Sequence, residues 1–109
     1  MIVVAPFLFS KRFRALAVYP FIFVATAADA RDAVLVQHER IHFRQQKELL
    51  FVFFYLFYAL DFLRNMFVYL GNAHKAYRYI CFEQEAYTFE HDANYLSARK
   101  LFAWWKFLG

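Results

Sequence analysis

Two apolar runs rich in β-branched and aromatic residues open the chain, "IVVAPFLF" and "ALAVYPFIFVAT", separated by the basic stretch "SKRFR". Runs of this kind bounded by polar residues predict two short strands joined by a turn. Pro6 and Pro20 each interrupt one run, and proline lacks the N–H that a central strand donates. The pattern therefore favours edge strands or extended segments on a small sheet.

At "TAADARDA" the composition turns to helix. Alanine is the best helix former, and Thr26 or Asp29 can accept from the first free backbone N–H groups. A helix is predicted from about Ala30 to Lys47 or beyond. An uncharged apolar run follows, "LLFVFFYLFYAL" from Leu49 to Leu60, then Asp61, then "FLRNMFVYL" to Leu70. A bilayer-spanning helix needs about 20 apolar residues, and a run of about 10–14 more commonly forms a buried helix. The longer count is reached only by admitting Asp61, Arg64 and Asn65, of which Asp61 and Arg64 can pair on one helical face. A buried or dimer-forming helix and a membrane-embedded one both fit this pattern. Gly71 and Asn72 stop it. Further helices are predicted over about Tyr79 to Tyr95 and Ser97 to Leu108. The last mixes Arg99, Lys100 and Lys106 with Trp104 and Trp105, and suits either a membrane surface or docking on the core. The order implies an α+β protein: one domain, with a β element over 1–27 and a mainly helical part over 28–109.

Composition sharpens this reading. The chain has 109 residues, enough for one domain with its own core. It is 62% hydrophobic and 24% aromatic, more large rings than a soluble core of this size uses. The surplus predicts contact with a membrane, a partner protein or a second copy in a homo-oligomer. Cys81 is the only cysteine, which excludes an internal disulfide and a four-cysteine zinc site. A net charge of +4 gives a mild preference for anionic surfaces, yet no phosphate loop or nucleic-acid motif accompanies it, so no nucleic-acid partner is expected. Apolar residues precede the first charges, the reverse of a secretory signal, which predicts a membrane-associated or cytoplasmic protein. Lys47 on one side of the long apolar run and Lys75 and Arg78 on the other leave membrane orientation undecided.

The candidate chemistry lies in "HERIH", residues 38–42. Helical positions four apart differ by about 40°, so His38 and His42 project from one face and can share one tetrahedral Zn²⁺. Glu39 sits one step round the helix, where it can miss the metal and act on a water as general base. No Gly or Pro interrupts the flanking residues, so both histidines belong mid-helix. A catalytic zinc normally takes a third protein ligand. In "YICFEQEAYTFEHDANYL", Glu83, Ala86, Tyr87 and Glu90 fall on one helical stripe, with Ala86 small enough for close approach. Glu83 is the preferred third ligand. Glu85, about 200° round from Glu83, is the fallback, and His91 an alternate. His74 or Arg78 can polarise a developing oxyanion. Gln45 and Gln46, about a turn beyond His42, are expected to be solvated or to flank the cleft, and Cys81 to be a small core residue. "LAVYPFIFV" offers an edge on which a substrate chain can add as a strand.

"HERIH" followed by "FEQEAY" resembles the gluzincin metallopeptidases, and is similar in particular to the membrane-associated CAAX-protease and heat-shock-protease type, whose second motif reads E-x-x-A-D. Glu83-Gln84-Glu85-Ala86 matches its E-x-x-A part. More loosely, the chain looks like a short bacterial form carrying H-E-x-x-H-x-x-Q-Q and F-E-x-E-A-Y. The resemblance implies a Zn²⁺ cofactor on His38, His42 and Glu83, a zincin-like body and a peptide or protein substrate. Tyr87 stands where the family has the aspartate that orients a zinc-bound histidine, and Glu90 or Asp92 is the candidate replacement. The expected function is a zinc-dependent metallopeptidase-like hydrolase. The alternative is a non-catalytic small membrane or interaction protein whose metal site is structural or absent, or an accessory part completed by a partner.

Overall fold

A computed structural model describes residues 1–9 and 13–108. The architecture is α+β, a three-stranded sheet followed by helices. Strand β1 (Ile2–Val4) runs parallel to β3 (Phe21–Val24), and β2 (Ala15–Val18) pairs antiparallel with β3 on its other side, giving the order β1-β3-β2. The second apolar run thus yields a hairpin rather than one strand. It divides at Tyr19 and Pro20, where the missing N–H falls in the turn. Pro6 ends the first run by opening a 3-10 turn, Pro6–Leu8. The turn expected over "SKRFR" lies partly outside the described residues.

Thr26 caps the short helix α1 (Ala27–Ala30), its hydroxyl accepting from Asp29 N–H at 3.1 Å. Asp29 is not a cap. Its carboxylate is held by Arg14 at 2.7 and 2.9 Å, because Thr26 has already taken the capping position. The main helix α2 (Ala33–Glu48) starts later than expected, at Asp32, whose Oδ1 accepts from Val34 N–H at 3.1 Å and Leu35 N–H at 3.2 Å. Leu50 and Phe51, both at positive φ, turn the chain into α3 (Val52–Val68), which leaves α2 at 111°.

The long apolar segment is not a buried helix. Of the α3 residues only Phe54 and Asn65 are buried, while Val52 and Phe67 are 73% and 85% exposed. Among the described residues no single helix is long and apolar enough to cross a membrane. Asp61 takes a structural role, pairing with Arg64 at 3.7 Å and accepting from Cys81 N–H at 2.8 Å.

Asn72 caps α4 (Ala73–Arg78), and an extended Ile80 separates it from α5 (Cys81–Phe89). The helix expected over Tyr79 to Tyr95 is therefore shorter, and the one expected over Ser97 to Leu108 resolves into α6 (Tyr95–Ala98) and a 3-10 turn, Ala103–Phe107. Arg99 causes that break, since its extended backbone turns the side chain inward to two buried carboxylates.

Two apolar clusters hold these elements. Ile22, Val24 and Val36 pack the sheet onto α2. Phe54, Ile80, Cys81, Phe82 and Trp104 join α3, α5 and the C-terminal segment, and Cys81 is a core residue as its composition suggested. Helices α2 and α5 pack together, and Ala86 on α5 is fully buried.

Candidate metal centre

His38 and His42 stand one above the other on α2, both 5% exposed, and α5 brings Glu83 against them. Glu83 Oε1 lies 2.9 Å from His38 Nε2 and 3.2 Å from His42 Nε2. One ligand atom from each of the three residues falls within 4.8 Å of the others, so the group could hold a metal ion.

The other ring nitrogens have partners that settle their polarity. His38 Nδ1 lies 2.7 Å from Glu90 Oε2, and a carboxylate only accepts, so Nδ1 carries the proton. His42 Nδ1 lies 2.7 Å from Gln45 Oε1. The Gln45 amide nitrogen donates at 3.0 Å to both Phe82 O and Glu85 Oε1, which forces its oxygen toward His42. With both Nδ1 atoms as donors, the neutral rings turn Nε2 lone pairs onto Glu83. Tyr58 donates to Glu83 Oε2 at 2.6 Å and leaves Oε1 to face the histidines. Three acceptor atoms thus converge on one buried point, which repels unless a metal ion or protons occupy it. Two imidazoles and a carboxylate are a ligand set suited to Zn²⁺.

The electrostatics follow. Burial disfavours the His42 imidazolium, but the facing Glu83 carboxylate, their hydrogen bond and Glu39 outweigh it and push the pKa up to about 10. Burial works against the Glu83 carboxylate too, yet His42 and His38 hold it below the usual carboxylate range. Burial raises the Glu39 carboxyl, opposed by the two histidines. Among the described residues no protein group hydrogen-bonds Glu39, which lines a cleft of about 210 Å³ with His42, Glu83, Tyr55, Tyr58 and Tyr77.

Strand β2 forms the facing wall of that cleft. The bond from Ala25 N–H to Arg14 O and the register Leu16↔Phe23 turn the backbone groups of Arg14, Leu16 and Val18 toward β3. Those of Ala15 and Ala17 point away from β3. Gln46, 1% exposed, fixes the strand there by donating to Ala17 O at 2.8 Å and accepting from Tyr19 N–H at 3.0 Å.

The remaining candidates divide. Tyr87 packs edge-on against the His38 ring, with centroids 4.5 Å apart, and carries the Arg78 guanidinium over its own face at 4.0 Å. Glu90, one turn beyond Glu83's neighbours, supplies the carboxylate that Tyr87 lacks. Glu85 is buried but turned away from the centre, with its oxygens taken by Arg99, Tyr95 and Gln45. His74 is exposed on α4, and His91 reaches Glu90, at 3.6 Å with its side chain 75% exposed. Asp92 is exposed and uses its carboxylate on Asn94 N–H. Gln45 and Gln46 are buried rather than solvated, because each spans from α2 to another element, and Gln46 lines the cleft, the other arrangement expected of them. The adjacent mid-helix amides were the available signal. Tyr58, Tyr77 and Arg99 had none, since an isolated tyrosine or arginine gives no spacing to read.

No family model, no curated protein and no solved structure matches this chain.

Proposed function

We propose that this protein is a zinc-dependent, gluzincin-like hydrolase acting on a peptide. The observation that carries the reading is the convergence of His38 Nε2, His42 Nε2 and Glu83 Oε1 with both Nδ1 atoms committed as donors. His38, His42 and Glu83 are the ligands. Bound there, Zn²⁺ supplies Lewis acidity, lowering the pKa of a water toward neutrality and polarising a carbonyl. Glu39 takes the proton from the attacking water and delivers it to the leaving amine. Its raised pKa and the lack of a hydrogen-bond partner among the described residues suit a group that takes up a proton and gives it back. Tyr77, which borders the cleft and whose hydroxyl lies 3.4 Å from that of Tyr87, would donate to the oxygen of a tetrahedral intermediate. Its pKa is raised, by burial first and then by Glu83, so the hydroxyl keeps its proton.

The substrate lies along β2. Among the described residues the Ala15 N–H and C=O and the Ala17 N–H have no partner, the pattern by which an extended peptide adds to a sheet edge. The cleft is smaller than the ~300–1,000 Å³ of drug-sized pockets, so it takes a side chain or two of an extended chain rather than a compact ligand. The exposed apolar side of α3, with Leu56, Leu60, Leu63 and Phe67 outward and Arg64 its sole exposed charge, supports seating on a membrane surface. That surface also favours the second reading, a membrane or interaction protein in which the metal is structural.

Two variants separate these readings. Elemental analysis should find about one zinc per chain in the wild type and a large loss in His42→Ala. Glu39→Gln should keep the zinc and lower peptide hydrolysis by roughly 10²–10⁴-fold. Equal zinc in wild type and His42→Ala would remove the ligand assignment. Unchanged hydrolysis in Glu39→Gln would leave only the structural reading.

A further inference from the structure

Glu85, the acid that is not a ligand, is still tied to the metal centre through a chain of hydrogen bonds of fixed polarity. Arg99 reaches it from the C-terminal segment, its Nε bonding Glu85 Oε2 and one terminal nitrogen bonding Oε1 at 3.0 Å. The same guanidinium grips both oxygens of Glu48 at 2.9 and 3.0 Å. All three side chains are buried, at 2% exposure for Arg99, 0% for Glu85 and 5% for Glu48. Tyr95 adds a hydroxyl donor to Glu85 Oε2 at 2.7 Å. Glu85 Oε1 also accepts from Gln45, whose oxygen in turn faces His42.

A glutamine amide has a donor end and an acceptor end of nearly equal shape, so only its neighbours decide which way it lies. A guanidinium cannot accept, so Glu85 is held as an acceptor. An acceptor at Glu85 and another at Phe82 O each take one of the two Gln45 amide hydrogens. The Gln45 oxygen is then the only atom left for His42, and His42 Nδ1 must donate to it. We propose that Gln45, Glu85 and Arg99 are positioning residues that select the His42 tautomer with its Nε2 lone pair toward the metal, making the C-terminal segment part of the metal centre. The inference rests on the metal-site reading above. It gives His42 a neutral amide partner backed by a buried ion cluster, while His38 is oriented directly by a carboxylate.

The test compares three variants of the full chain, each titrated with Zn²⁺ against a chromophoric chelator and loaded with Co²⁺ for its visible spectrum. Gln45→Met removes the amide. Glu85→Gln puts an amide where only an acceptor fits and allows Gln45 to turn over. Asn65→Ala removes a buried hydrogen bond to Ala76 O outside this network and serves as the reference for stability. Gln45→Met and Glu85→Gln should weaken zinc binding by roughly 10–100-fold, as loss of such partners does, with Asn65→Ala within about twofold of wild type. The Co²⁺ bands should shift in the first two and not in the third. If Glu85→Gln fails to fold, Gln45→Met decides alone. Wild-type affinity and unchanged bands in Gln45→Met, or equal losses in all three variants, would overturn the relay. A folded wild type that takes up no zinc would instead overturn the metal site itself, which is a separate result.

Discussion

Metal uptake should release a proton from His42, and the size of the effect follows from the site. In the metal-free protein Glu83 holds the His42 pKa at about 10, so at pH 7 only about one molecule in a thousand has the ring ready as a ligand. Zinc must displace that proton. Three pH units correspond to about 4 kcal/mol of binding free energy withheld at neutral pH, and the affinity should rise about tenfold per pH unit between pH 6.5 and 8.5. The sign for folding is the opposite. The His42–Glu83 attraction stabilises the metal-free fold fully below the ordinary histidine value of 6.5, and this contribution is lost as pH rises toward about 10. Calorimetry of zinc binding in buffers of different ionisation heat, repeated across that pH range, measures the protons released. An affinity flat with pH and a heat independent of buffer would refute the electrostatic account of the site.

Three further outcomes test other parts of the structure. Gln46→Ala removes a buried hydrogen bond from α2 to β2 and a part-buried one to the turn that follows, at about 1 kcal/mol each plus the cost of the cavity, and should lower urea-unfolding stability by about 2–4 kcal/mol with zinc content retained. Glu90→Ala should weaken zinc binding by roughly tenfold or more without abolishing it, read by chelator competition, because His38 loses its Nδ1 partner and not its place on the helix. Asp32 has its pKa lowered by the Leu35 N–H and then Arg14, so its contribution is complete above the ordinary carboxylate range and lost as pH falls through its folded value. Asp32→Asn should therefore flatten the acid side of the melting-temperature profile, and an unchanged profile would show that the cap carries no charge effect.

Whatever depends on the repeat of one helix could be read directly from the sequence. His38 and His42 share a face, and Glu83 and Glu90 share a stripe, because 3.6 residues per turn admits no other arrangement. The order of β element and helical part was readable for the same reason, since runs and breaks are local. Periodicity says which residues share a face and nothing about what that face meets. The parallel pairing of β1 with β3, the burial of Gln45 and Gln46, the exposure of α3 and the inward turn of Arg99 all depend on contacts between segments far apart in the chain. A polar side chain is buried only where partners complete its hydrogen bonds, and those partners came from elements whose arrangement only the folded chain decides.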